Sequence, residues 1–227
     1  MRPLWFVFMS AGILLQALFI KVEHDENYVL ADILKGSAAL MFVLIGLFGY
    51  KMNVNPSAFS FKIFLGLIFG MIGDILLNLR FVFPKNSQKI FLAGIAAFLI
   101  GHILYLIALI PYAKHLLMAT VIGALLSAAL LAYIFKTMEV KTAFKIFGVV
   151  YLSAVIVMTC FAIDAALFAN SLSATVYAIG AVLFTLSDIV LIFNTFSGVT
   201  RFSLRITNLS LYYLGQLLIA LSLYFPR

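Results

Sequence analysis

Two aspartates, Asp74 in the run GLIFGMIGDILLNL and Asp188 in the run GAVLFTLSDIVLIF, stand inside long apolar segments. A carboxylate is costly there, and its presence points to function. The two are also related by position. A shift of 114 residues carries Gly66 onto Gly180, Asp74 onto Asp188, Ile75 onto Ile189, Leu77 onto Leu191 and Gly101 onto Gly215. Leu and Ile matches carry little weight in so apolar a chain, but two glycines and an aspartate at one offset carry more. Two carboxylates facing each other in a dry site form an acid/base device, in which one donates a proton and the other accepts one or steadies a cation.

The surrounding chain says what must position them. Its 227 residues are 65% hydrophobic and 10% charged, with a mean hydropathy of +1.19. A soluble domain of this length cannot hide so much apolar surface, and the repeated runs each suffice for the ~30 Å hydrocarbon core of a bilayer at about 1.5 Å per residue. The absence of strand-like alternation argues against a β-barrel. The expected fold is therefore an all-α integral membrane protein of eight transmembrane helices, at residues 4–20, 29–50, 61–79, 90–109, 116–135, 146–167, 174–193 and 203–224. Pro56, Pro84 with Asn86, Lys114 and Ser197-Gly198 mark connections. All the connections are short, so the chain reads as a single polytopic domain over residues 1–227, and any chemistry sits within the bundle.

The offset maps the first four helices onto the last four. An even number per unit gives two parallel repeats, residues 1–114 and 115–227, related by a pseudo-twofold along the membrane normal. Coincidence in a low-complexity apolar sequence is the alternative. The first apolar run is followed by acidic residues, not a small-residue cleavage site, so no signal peptide is expected.

The net charge of +7 reads as membrane topology, not nucleic-acid binding. Nine Lys and Arg fall in the connections between helices one and two, three and four, five and six, and seven and eight; five fall on the other side. That places the nine in the cytoplasm and both termini outside, in a bacterial inner membrane. Cys160 has no disulfide partner and reads as packing. His24, His102 and His115 lack metal-ligand spacing, so no metal and no cofactor is expected.

Polar residues converge at one depth. Asp74 and Asp188 precede the cytoplasmic ends of their helices by about six residues, and Lys35 follows the start of the second helix by a similar number. All three lie roughly 9 Å inside the boundary, at about 1.5 Å per residue. This predicts a shared cavity, with snorkelling of Lys35 to the interface as the alternative. Gly66, Gly70, Asp74 and Asn78 recur every four residues on one face of the third helix. Gly180, Phe184 and Asp188 do so on the seventh, with Asn194 following its end. On the eighth, Asn208, Tyr212 and Gln216 share a face with Tyr213 beside it. His102 and Tyr105 lie deeper on the fourth. The bland readings are a hydrogen-bonded packing histidine and packing tyrosines. Asp164, toward the opposite membrane face, is expected to cap or contact an outer loop.

The runs G-D-I-L-L in the third helix, G-H-I-L-Y in the fourth, F-x-x-S-D-x-x-L in the seventh and Y-Y-L-G-Q-L-L-I in the eighth resemble the YhhN-like lysoplasmalogenase family. Length and eight-helix layout also fit, as does Lys35, although Lys35-Gly36 stands where the family usually has Lys-Pro. The resemblance implies a polytopic membrane hydrolase that cleaves the vinyl-ether bond of lysoplasmalogen, releasing a fatty aldehyde and a glycerophospho-base. Its partners would be a lysophospholipid substrate and membrane lipids. Such hydrolysis protonates the alkene carbon, forms an oxocarbenium-like cation and adds water. Asp74 and Asp188 would be the catalytic pair, one kept protonated and one ionised, a division of labour that glycosidases use for a similar cation. Lys35 would bind the head-group phosphate or stabilise the ionised aspartate. Asn78, Tyr212, Tyr213 and Gln216 would hold water or glycerol oxygens, with His102, Tyr105 and Asn194 as further binding residues. The competing reading is a small-solute or proton-coupled transporter, since paired halves with midmembrane carboxylates also suit a carrier. Matching helix-breaking Gly/Pro pairs in the two halves are few. A purely structural protein would have no need of two matched aspartates.

Overall fold

The computed structural model describes residues 4–52, 57–138, 142–169, 171–198 and 200–225. Among these there is no strand. Eight long helices, all apolar enough to cross a membrane, make up the fold: α1 Leu4–His24, α2 Tyr28–Met52, α3 Ala58–Val82, α4 Ser87–Leu109, α5 Leu116–Thr137, α6 Thr142–Ala169, α7 Leu172–Phe196 and α8 Phe202–Leu221. The chain is an integral membrane protein. Most helices run a few residues past the ends read from hydropathy, because backbone hydrogen bonding continues until a local stop intervenes.

Those stops are chemical. Ser57 opens α3 by accepting the Ser60 N–H at 3.2 Å, a side-chain N-cap. Pro84 follows α3 and starts a 3-10 turn, Pro84–Asn86, that leads into α4. Lys114 lies in the short link between the 3-10 turn Ile110–Tyr112 and α5. Gly198, at φ 79°, takes a left-handed conformation between α7 and α8, where glycine has no steric penalty. Pro56 and the charged residues Arg2, Lys141 and Arg227 lie outside the described residues.

Helices adjacent in sequence pack together, except α4 and α5. The main contacts between the first four helices and the last four are α4 on α6 and α8 on α2, and α8 also touches α1 and α3. The packing of α3 on α4 is close at a glycine pair: a Cβ on Gly101 would lie 3.0 Å from the Gly66 carbonyl oxygen. The packing of α7 on α8 has the same device, with a Cβ on Gly215 lying 2.8 Å from the Gly180 carbonyl oxygen. Small residues let membrane helices approach closely. These crossings set the spacing of α3, α4, α7 and α8 around the buried aspartates.

Candidate functional site

Asp74 on α3 and Asp188 on α7 are both buried, at 4% and 5% exposure. They line one cavity of about 160 Å³, far more than the roughly 10–15 Å³ that a single water requires. Lys35 on α2, Asn78 on α3 and Tyr212 on α8 line it too. The sequence explains the convergence: each residue sits on the face its helix turns inward, between apolar neighbours that pack the bundle.

The two carboxylates have unlike surroundings. Asp74 Oδ1 lies 3.3 Å from Lys35 Nζ, and its Oδ2 accepts the Tyr212 hydroxyl at 2.7 Å. Lys35 is 4% exposed, so it turns inward and does not snorkel. Its ammonium makes an ion pair with Asp74 but has no aligned hydrogen-bond acceptor among the described residues. It sits over the rings of Tyr212, 4.5 Å from the centroid, and Phe19, 5.1 Å away, in cation–π contact. Asp188 Oδ2 accepts the hydroxyl of Tyr151, on α6, at 2.8 Å, and Asp188 takes part in no ion pair among the described residues. One aspartate thus has a cation beside it and the other a neutral phenol.

Further residues frame the pair. Asn208 donates to the carbonyl of Ser187, next to Asp188, at 2.8 Å. Arg205 on α8 donates through Nε to Glu23 Oε2 at 3.0 Å and through Nη2 to Glu23 Oε1 at 2.5 Å, tying α8 to α1. Asn78, with its amide oriented to satisfy both neighbours, donates to Glu23 Oε1 at 3.1 Å and accepts the Asp32 N–H at 3.0 Å, adding α3 and α2 to this knot. Arg80 lines the cavity between the rings of Phe81 and Phe91, at 4.6 and 4.4 Å. The cavity thus takes its polar groups from α2, α3 and α8, with Tyr151 of α6 and Asp188 of α7. Its apolar side is Phe91, Ile95 and Phe98 of α4 and Leu191, Ile192 and Phe196 of α7.

Five residues expected at a binding site lie off the cavity wall. Tyr105 donates to Gln216 at 3.3 Å, forming a polar pair within the core. Tyr213 donates to the Ala38 carbonyl at 2.8 Å and fixes α8 to α2. His102 Nδ1 meets the Phe98 carbonyl at 2.8 Å, and its ring stands beside Phe184 and Tyr151. Asn194 accepts the Arg201 N–H at 2.8 Å, steadying the entry to α8. Asp164 does contact an outer link: its carboxylate meets His115, accepting the backbone N–H and lying beside the ring nitrogen, both at 3.0 Å.

Sequence reading missed Tyr151, Arg80 and Arg205 as cavity residues. The two arginines counted as loop charges. Arg205 carried a usable signal, since 205, 208, 212 and 216 fall at helical spacing on one face. Tyr151 carried none, being an isolated tyrosine in an apolar run.

The sequence model of the YhhN family matches residues 30–223, most of the chain. No curated protein and no solved structure matches it.

Proposed function

The chain belongs to the YhhN family, and on that premise we propose that it is a lysoplasmalogenase-like hydrolase that cleaves the vinyl ether of lysoplasmalogen within the bilayer. The reading rests on one observation: two buried aspartates with unlike partners line a single membrane cavity. The lysoplasmalogen substrate comes from the resemblance in the sequence. The pair, the cavity and its apolar wall are what suit it.

The asymmetry supports a division of roles between the two. Asp188, with a phenol and, among the described residues, no cation in contact, is the general acid and delivers its proton to the alkene carbon remote from oxygen. The carbon attached to oxygen becomes an oxocarbenium-like cation. Asp74, ionised beside Lys35, steadies that cation and takes a proton from the attacking water. The resulting hemiacetal collapses to a fatty aldehyde and the glycerol hydroxyl, and a proton passing from Asp74 to Asp188 by way of product and water resets the pair. Water is consumed, and no redox step is involved. General acid/base groups of this kind contribute about 10²–10⁴-fold each.

Incubating purified protein with lysoplasmalogen and measuring fatty aldehyde tests the reading. Asp74→Asn and Asp188→Asn should each lose about 10²–10⁴-fold in kcat, and the double variant should be little worse than the weaker single one, because the pair acts as a unit. No aldehyde from folded wild-type protein, together with ion or solute flux in liposomes, would transfer the aspartates to a carrier.

A further inference from the structure

A cation facing a membrane cavity needs a partner, because an isolated buried charge is strongly disfavoured. Two of the three cations on this wall have one. Lys35 pairs with Asp74 and Arg205 with Glu23. Arg80 forms no ion pair among the described residues, its buried Nε has no hydrogen-bond partner, and the Glu23 carboxylate that attracts it is already held by Arg205. Its guanidinium is nonetheless well held, lying between the rings of Phe81 and Phe91. An acceptor meets the edge of a guanidinium, where its N–H groups point, and the buried Nε on that edge has no acceptor among the described residues. That edge is a planar fork suited to two oxygens of one phosphate.

We propose that Arg80 is the phosphate-binding residue of the cavity, and that its ligand is the head-group phosphate of a single-chain ether phospholipid. This inference rests on the hydrolase reading for the identity of the lipid, but not for the anion site itself. The spacing supports the assignment. Arg80 follows Asp74 by six residues, about 9 Å along the helix axis at 1.5 Å per residue. In a lysoplasmalogen, six bonds separate the vinyl carbon attached to oxygen from phosphorus, roughly 7–8 Å when extended at ordinary bond lengths. A lipid whose vinyl ether lies at the aspartates thus reaches Arg80 with its phosphate. Lys35 is then free to remain on Asp74, so the two cations divide head-group binding from catalysis. The apolar wall of α4 and α7 is left for the hydrocarbon chain.

Binding of non-hydrolysable ligands tests the site without turnover. The probes are a saturated 1-O-alkyl lysophosphoethanolamine, the matching 1-O-alkylglycerol and inorganic phosphate, titrated against wild type, Arg80→Ala and Arg80→Lys in detergent. The expected result is a loss of about 10–100-fold in phospholipid affinity in Arg80→Ala, the range for hydrogen bonds to charged groups. Wild type should prefer the phospholipid to the alkylglycerol, and the variant should lose that preference. Arg80→Lys should recover the charge but not the fork, and so only part of the affinity. Should Arg80→Ala fail to fold, Arg80→Lys carries the test through the same ratio of phospholipid to alkylglycerol. An unchanged ratio would make Arg80 a structural residue and overturn the proposal. Inorganic phosphate binding as tightly as the lipid would overturn the lipid assignment in favour of free phosphate. Arg80-dependent phospholipid binding without aldehyde release would leave the site standing and remove the hydrolase reading alone.

Discussion

Tyr151 on α6 donates its hydroxyl to Asp188 on α7 across 2.8 Å. The bond links α6 to one of the two aspartates through Oδ2, and in the proposed mechanism Asp188 Oδ1 carries the transferable proton. Tyr151→Phe keeps the ring beside His102 and removes only the donor. A loss of roughly 5–100-fold in kcat is expected, with KM little changed, from the usual strength of a buried hydrogen bond to a group that becomes charged. Steady-state aldehyde release measures it, and an unchanged kcat would separate Tyr151 from the proton transfer.

Lys35 pairs with Asp74 at 3.3 Å, so its removal should act on turnover. Lys35→Met is expected to lower kcat by about 10²-fold, in the range of acid/base contributions. In an Asp74→Asn background the same change should cost little more, because groups acting as one unit are not additive. A double-mutant cycle reads this. A loss confined to KM would instead give Lys35 to the substrate.

Gly148 on α6 lines the cavity, and a Cβ placed there meets nothing within 4 Å. Gly148→Leu should therefore fold normally while filling space beside the apolar wall. The expected outcome is a selective loss of activity on long-chain lysoplasmalogens, with short-chain substrates less affected. Equal losses at every chain length would place the hydrocarbon elsewhere.

The glycine crossings should be equally intolerant in the two halves. A Cβ at Gly101 lies 3.0 Å from the Gly66 carbonyl oxygen, and one at Gly215 lies 2.8 Å from that of Gly180. Neither neighbour is the end of a flexible side chain, so the helices must separate. Gly101→Ala and Gly215→Ala are each expected to destabilise by about 1–3 kcal/mol, the usual cost of overpacking, seen as a lower Tm in detergent. A large cost in one half and none in the other would weaken the proposal that the halves descend from one four-helix unit.

Orientation in the membrane is open to a direct test. The distribution of Lys and Arg puts both termini outside and the link around Lys85 in the cytoplasm. Reporter fusions at Arg227 and at Lys85 should report opposite sides in that sense. A cytoplasmic signal at Arg227 would reverse the orientation. Arg80 and Arg205, two of the nine residues behind the argument, face the cavity and not a loop, which narrows the bias.

The sequence alone determined the solvent and the local fold of this protein. Apolar runs of bilayer length leave the backbone no partner but itself, so eight helices follow from hydropathy without tertiary information. Breakers such as Pro84 and Gly198 ended helices where their backbone chemistry required. The cost of a carboxylate in an apolar run singled out Asp74 and Asp188. Tertiary structure decided what those aspartates touch. Tyr212 lies 138 residues from Asp74 in the chain, and Tyr151 lies 37 from Asp188; no local periodicity encodes such a pairing. Tertiary structure also turned Arg80 and Arg205 from apparent loop charges into cavity residues, and placed Tyr105, Tyr213 and Gln216 in core contacts. A helix has an inward face that hydropathy can locate, but which neighbour meets that face is set by how helices cross. In this bundle the crossings depend on close approach at Gly66 with Gly101 and Gly180 with Gly215. Packing geometry therefore chose the partners, and with them the difference between the two carboxylates.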